Sequence, residues 1–275
     1  MQTPSTGQLL RKLAVPFTIA LLSLSTLLIA NYVTKSATAF DLSVVERVVF
    51  AVPFTVSMTI PMSVLLAVVI VFAQLGRQGV IDAARGERHG LRRLLTSVLL
   101  PAAAVAAFTL VLTSEVVPRT NQRLSSLSEG PSHVRGDREM TIGELRVEAQ
   151  TVRESASPDA PALVSRYEVE IQKKFAIAAA SVVLALTAVA LVVLFPRGNM
   201  VLFASLAGVV IALYYVGLVA GETMADRLVL SPFVAMWMTN AFFLTFALAV
   251  LWSRTRFASN DGLPLLPVGG SQPNV

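Results

Sequence analysis

The chain has 275 residues and not one cysteine, so it forms no disulfide and no thiolate metal site. Histidine is almost as scarce. Only His89 and His133 occur, both in polar connecting segments, where an imidazole is normally a solvated surface group. The third absence is the most informative. Six stretches, residues 13–34, 48–73, 94–114, 175–195, 200–221 and 228–252, contain no Asp, Glu, Lys or Arg. Proton relays and intramembrane aspartyl pairs need ionisable groups at membrane depth, facing a cavity and a partner. Neither is built from these stretches, and no Ser–His dyad forms among them. A Gly-x-x-x-x-Gly-Lys-Ser/Thr motif is missing as well, so the chain does not cradle ATP phosphates by that route. Energy for any active work has to come from another subunit.

What is present follows from the same stretches. They hold 21 to 26 residues each, and a helix needs about 20 apolar residues to cross the hydrocarbon core of a bilayer. Their proline and glycine residues are tolerated in membrane helices. A hydrophobic content of 55% and a mean hydropathy of +0.69 agree. The expected fold is an all-α integral membrane protein of six transmembrane helices. Residues 1–114 carry the first three spans, with a cytoplasmic segment at 74–93. A short extracytoplasmic insertion follows at 115–174, then the last three spans in 175–252. The tail, 253–275, rich in Gly, Pro and Ser, reads as disordered.

Charge placement sets the expected orientation. With a cytoplasmic N-terminus, the inside segments carry ten basic residues and three acids, and the outside segments twelve and fourteen. The raw basic count therefore favours the opposite orientation. Long loops weigh little in the positive-inside rule, however, and setting aside 115–174 leaves ten basic residues inside against three outside. Both termini are expected in the cytoplasm. Arg11 and Lys12 before an apolar stretch, with Ala37-Thr38-Ala39 after it, superficially resemble a cleaved secretory signal. The stretch is longer than such signals have, and Lys35 intervenes, which argues for a retained span.

Within the insertion, Thr141 followed by Glu144 reads as a capping box that starts a helix. Ile142, Leu145, Ala149 and Val152 then share one face, against the membrane or the bundle. Pro158 and Pro161 end it, and 162–172 leads back to the membrane. On the fifth span Ala204, Gly208 and Ala212 recur every four residues, a spacing that lets two helix backbones approach closely. Two uses are open, packing inside the bundle or contact with a second subunit. Lys35, Glu115, Arg119, Lys173, Lys174, Glu222 and Arg227 cluster where spans meet the outer surface. Most such residues are anchors or rim ion pairs. Lys35, Lys173 and Lys174 are candidates for holding a phosphorylated lipid headgroup. Glu168 and Glu170 stand near enough to Lys173 and Lys174 to neutralise them instead.

Several segments are similar to the LptF/LptG family, the permease subunits of the lipopolysaccharide-export ABC transporter. Tyr167-Glu168-Val169-Glu170-Ile171-Gln172-Lys173-Lys174-Phe175-Ala176 resembles the family's approach to its fourth span. Pro196-Arg197-Gly198-Asn199 sits where the family has an Arg-Gly-Gly turn. Tyr214-Tyr215, Gly221-Glu222, Ser231-Pro232, Ala235-Met236-Trp237 and Asn240 follow at family spacing. Earlier in the chain, Ser114-Glu115-Val116-Val117-Pro118-Arg119-Thr120-Asn121 and Met140-Thr141-Ile142-Gly143-Glu144-Leu145 also look like family elements.

The resemblance implies a homodimer or heterodimer with a second six-span permease subunit in a Gram-negative inner membrane, above a cytoplasmic ABC ATPase dimer. A lipopolysaccharide-like glycolipid would enter between the first and fifth spans of opposing subunits. A periplasmic bridge protein would receive it, and no cofactor or nucleic acid is involved. The chain itself would be a transport subunit, not an enzyme. A non-transporting scaffold or regulatory partner of the same descent is the alternative. Two departures bear on the choice. Residues 125–139 stand where the family has a β-jellyroll, too few for even a three-strand sheet. In the ATPase-coupling segment the family carries an early Glu, whereas this chain has Gln78-Gly79, followed by Asp82 and Arg85.

Overall fold

The computed structural model describes residues 6–36, 42–86, 90–129, 135–155, 157–196 and 198–260. Of the tail expected to be disordered, 253–275, residues 253–260 continue the last helix, and the rest lies outside the described residues. Within them there is no strand, and six helices are long and apolar enough to cross a membrane. These are α1 (Thr6–Ser36), α2 (Leu42–Arg77), α4 (Gly90–Val111), α7 (Ala160–Leu194), α8 (Met200–Asp226) and α9 (Pro232–Asn260). Short α3 (Val80–Gly86) joins α2 to α4, and α5 (Val117–Glu129) and α6 (Ile142–Glu154) lie between α4 and α7. The protein is therefore an all-α, six-span membrane protein.

The bundle is organised around α7, which touches α2, α4, α6, α8 and α9. Its sequence explains this. Ala180, Ala185, Ala188 and Ala190 are fully buried, and such small side chains let neighbouring helices come close. Leu184 shares one continuous core with Phe72 of α2, Leu94 of α4 and Phe203 of α8. Tight contact between α8 and α9 uses glycine. An added Cβ at Gly221 would lie 2.2 Å from the Ala235 carbonyl oxygen, and one at Gly217 would lie 2.6 Å from Thr239 Oγ1.

Helices also continue beyond the uncharged stretches. α4 runs through a π-helical turn, Leu112–Val116, straight into α5. Proline placement accounts for the turn. The Val117 N–H bonds to the Leu112 carbonyl, and Pro118 has no N–H, so the Thr113 carbonyl loses both candidate backbone donors. Residues 162–172, expected as a connecting stretch, instead belong to α7. Pro161 sits in the first turn of that helix, where its fixed φ and missing N–H cost nothing.

The capping box is present as expected. Thr141 N–H donates to Glu144 Oε2 at 2.8 Å, and the Thr141 hydroxyl accepts from the Glu144 N–H. Leu145 and Ala149 are buried, and α6 lies against α7, on the bundle. At the opposite end Gly79, with φ of 72°, turns the chain from α2 into α3, a conformation that favours glycine. Val80, Ile81 and Ala84 bury that short helix's inner face.

Candidate functional site

Between α1, α2 and α8 the chain leaves a groove of about 960 Å³, near the upper end for a small-molecule site. Leu27 and Leu28 of α1, Phe54 and Met58 of α2, and Tyr215 and Leu218 of α8 make its walls apolar. Among the described residues, charged side chains line one end. There Arg138, from the loop before α6, meets Glu170 and Lys173 of α7 and Glu222 and Asp226 of α8, with Asn121 and Leu124 of α5 beside them. This is the end that carries the insertion, so the insertion borders the groove.

The charged end is tied together. Lys173 Nζ donates to Glu170 Oε2 at 3.0 Å and to Glu222 Oε1 at 2.6 Å, and its side chain is only 7% exposed. Arg138 Nη2 reaches the same Glu222 oxygen at 3.2 Å. Asn121 Nδ2 holds the Arg138 carbonyl at 3.1 Å, which fixes the loop to α5. Further into the bundle, Tyr214 donates to Asn240 Oδ1 at 3.1 Å and Asn240 Nδ2 donates to the Ala176 carbonyl at 2.9 Å. That chain of bonds fastens the groove wall α8 to α9 and the central α7.

Adjacent lysines have opposite settings. Lys174 does not line the groove. Its ammonium donates to the Thr113 carbonyl at 3.2 Å, the one released by the π-helical turn, and to the Met140 carbonyl at 3.1 Å. It is thus a buried structural clamp between α7, the turn and the loop before α6. Its position speaks against a headgroup role, for a physical reason: backbone carbonyls already hold it inside the bundle. Glu168, a candidate to neutralise the lysines, bonds to Arg153 instead.

The other sequence candidates fall in three places. Lys35 lies in α1 just beyond Tyr32, which lines the groove, and its side chain is outside the described residues. Gln78 is exposed at the corner between α2 and α3. Asp82 and Arg85 lie on α3, their side chains likewise outside the described residues. Ala204, Gly208 and Ala212 are all exposed, Gly208 has open space beside it, and Ala212 lines the groove. The stripe faces away from the chain's own core. Close internal packing falls to Gly217 and Gly221, a small-residue pair with the same four-residue spacing that the stripe overshadowed. Arg138 and Glu222 as partners, 84 residues apart, have no comparable sequence signal.

The family model for the lipopolysaccharide export system permease LptF/LptG matches residues 8–130 and 126–253. The chain belongs to the LptF/LptG family. The two matched segments meet at 126–130, inside the stretch that stands in place of the expected jellyroll. A search of curated proteins finds no match. Membership makes this LptF/LptG chain a multi-pass inner-membrane permease with a role in lipopolysaccharide export.

Proposed function

We propose that the chain is the membrane subunit of an ABC transporter that extracts lipopolysaccharide, or a similar glycolipid, from the inner membrane for export to the outer membrane. The observation that carries this reading is the groove itself, apolar along its walls and, among the described residues, charged at one end. Acyl chains lie against Leu27, Phe54 and Leu218, and the headgroup meets Arg138, Lys173 and Glu222. Apolar walls cost little against lipid tails, because both exclude water equally well. Both termini and α3 face the cytoplasm, where an ATPase dimer docks on α3 through Gln78, Asp82 and Arg85. A second six-span subunit, a copy or a sibling, covers the outward stripe Ala204, Gly208 and Ala212. Closure of the ATPase moves α1 and α8 relative to α7 and drives lipid toward the charged end. A jellyroll on the sibling subunit passes the lipid to a periplasmic bridge protein.

Replacing Asp82 and Arg85 with alanine tests the docking step. The variant is expected to reach the membrane normally, lose the co-purifying ATPase and lose lipid-stimulated hydrolysis. Unchanged association removes α3 as the docking element. The short helical insertion favours one other reading, a non-transporting scaffold of the same descent. A co-purified ATPase indifferent to added glycolipid would support it.

A further inference from the structure

The charged end of the groove has an unexpected balance. Its described lining side chains are three carboxylates, Glu170, Glu222 and Asp226, against two cations, Lys173 and Arg138. Lys173 is nearly buried and already lies between Glu170 and Glu222. Arg138 already holds Glu222. Asp226 has no ion-pair partner among the described residues, and it is exposed. Recognition of a phosphate by lysine or arginine works through uncompensated donors, above all a free guanidinium fork. Here Lys173 is compensated and Arg138 alone keeps free donors, so a headgroup carrying only negative charge gains that one contact and still meets the net negative charge of the described lining. A protonated amine meets the opposite situation. Its three N–H donors fit Asp226 and the outer face of Glu222. Arg138, 59% exposed at its side chain, keeps further N–H groups for a neighbouring phosphate or sugar oxygen.

We infer that the groove of this chain selects lipids whose headgroup bears a protonated amine, with Asp226 and Glu222 as the recognition pair. The inference rests on the reading of the groove as a lipid site. It names the headgroup chemistry which that reading leaves open. The amine has two plausible sources, a zwitterionic phospholipid or a glycolipid whose phosphate carries an amino substituent.

The full chain, with whatever subunits co-purify, is reconstituted in nanodiscs after Leu28→p-benzoylphenylalanine substitution, which puts a photo-reactive group on the groove wall. Competing lipids are phosphatidylethanolamine, N-acylated phosphatidylethanolamine, phosphatidylglycerol, and lipid A with and without an amino sugar on its phosphates. Mass spectrometry reads the crosslinked species. Amine-bearing lipids are expected to be captured roughly threefold to fivefold more than their N-acylated or purely anionic counterparts, the scale of one exposed ion pair. The pairwise arms tell the two amine sources apart. Asp226→Asn and Glu222→Gln are each expected to erase most of the preference. Asp226→Asn removes no side-chain bond among the described residues, so it stays informative if Glu222→Gln fails to assemble. Equal or greater capture of phosphatidylglycerol and unmodified lipid A overturns the inference and leaves the groove as a lipid site. Absence of any lipid crosslink at position 28 overturns both.

Discussion

α7 and α8 both qualify as membrane spans on composition, with mean hydropathy of 2.8 and 2.2 over their most apolar windows. Their settings are opposite. Of those windows, 83% is buried in α7 and 28% in α8, and α1 falls to 17%. α7 is an internal spine set with alanines, and the bundle absorbs the two lysines, Lys173 and Lys174, that precede its uncharged stretch. α8 turns Val201, Val209, Leu213 and Val216 outward and meets α9 along a seam that includes Tyr214, Gly217 and Gly221. Hydropathy measures what a helix tolerates around it, lipid or protein, and does not distinguish them. In a permease that difference is functional. On the function proposed above, the helix packed on most sides holds position, and the helices with open faces, α1 and α8, move against lipid and against a partner.

Four substitutions break or sharpen the contrast. The largest effect is expected from Lys174→Met on α7. It leaves the Thr113 and Met140 carbonyls buried without their donor, at about 3 kcal/mol in total. Thermal unfolding in detergent should show a clear drop in midpoint. A midpoint equal to the parent's would mean that the spine does not depend on this clamp.

Next come paired glycines on the two sides of α8. Gly221→Ala forces a methyl group into the Ala235 carbonyl and is expected to cost about 2 kcal/mol by overpacking. Gly208→Ala meets nothing within 4 Å and gains helix propensity, so the isolated subunit should hold or improve its stability by up to about 1 kcal/mol. Equal destabilisation by both would show that α8 has no open side. If Gly208→Ala is harmless alone yet weakens subunit association, the outward stripe is the partner contact.

The smallest effect concerns the insertion. The Arg135 guanidinium, with the Thr141 N–H and hydroxyl, lowers the Glu144 carboxyl from its usual 4.5 to about 2. A carboxyl depressed on folding stabilises the fold fully above its unfolded value, and this contribution fades as pH falls from about 4.5 toward 2. Because the pair is half-exposed, solvent screening keeps the gain below about 1 kcal/mol. Hydrogen exchange of the first-turn amides of α6 should lose protection on going from pH 6 to pH 3. In Glu144→Gln, protection should already be low at pH 6 and respond little to acid.

Much of this molecule was legible before any coordinates. The six spans, the capping box at Thr141 and Glu144, and the family likeness follow from local patterns of apolar, capping and turn residues. Local patterns have local causes: hydrogen bonds within one helix turn, or about 20 residues matched to a bilayer. The candidate site was less legible. Lys173 and Lys174 are neighbours with the same chemistry, and both have acids close in sequence. Their fates separate because successive residues on a helix point about 100° apart. That rotation turns Lys173 toward α8 and Lys174 toward the π-helical turn. Pro118 contained a clue to the second, since a missing N–H must leave some carbonyl free. Only the approach of α7 shows which donor takes it.

Sequence alone determined that the chain crosses the membrane six times with uncharged walls, because the cost of unsatisfied backbone and buried charge in hydrocarbon leaves a helix of that length as the only solution. Tertiary structure decided which walls face lipid and which face protein. It also decided that Arg138 and Lys173 converge on Glu222 across long separations, so that among the described residues the groove's charged end carries more acid than base. Those outcomes depend on how helices rotate and close against one another, which is a property of packing between segments and not of any segment by itself.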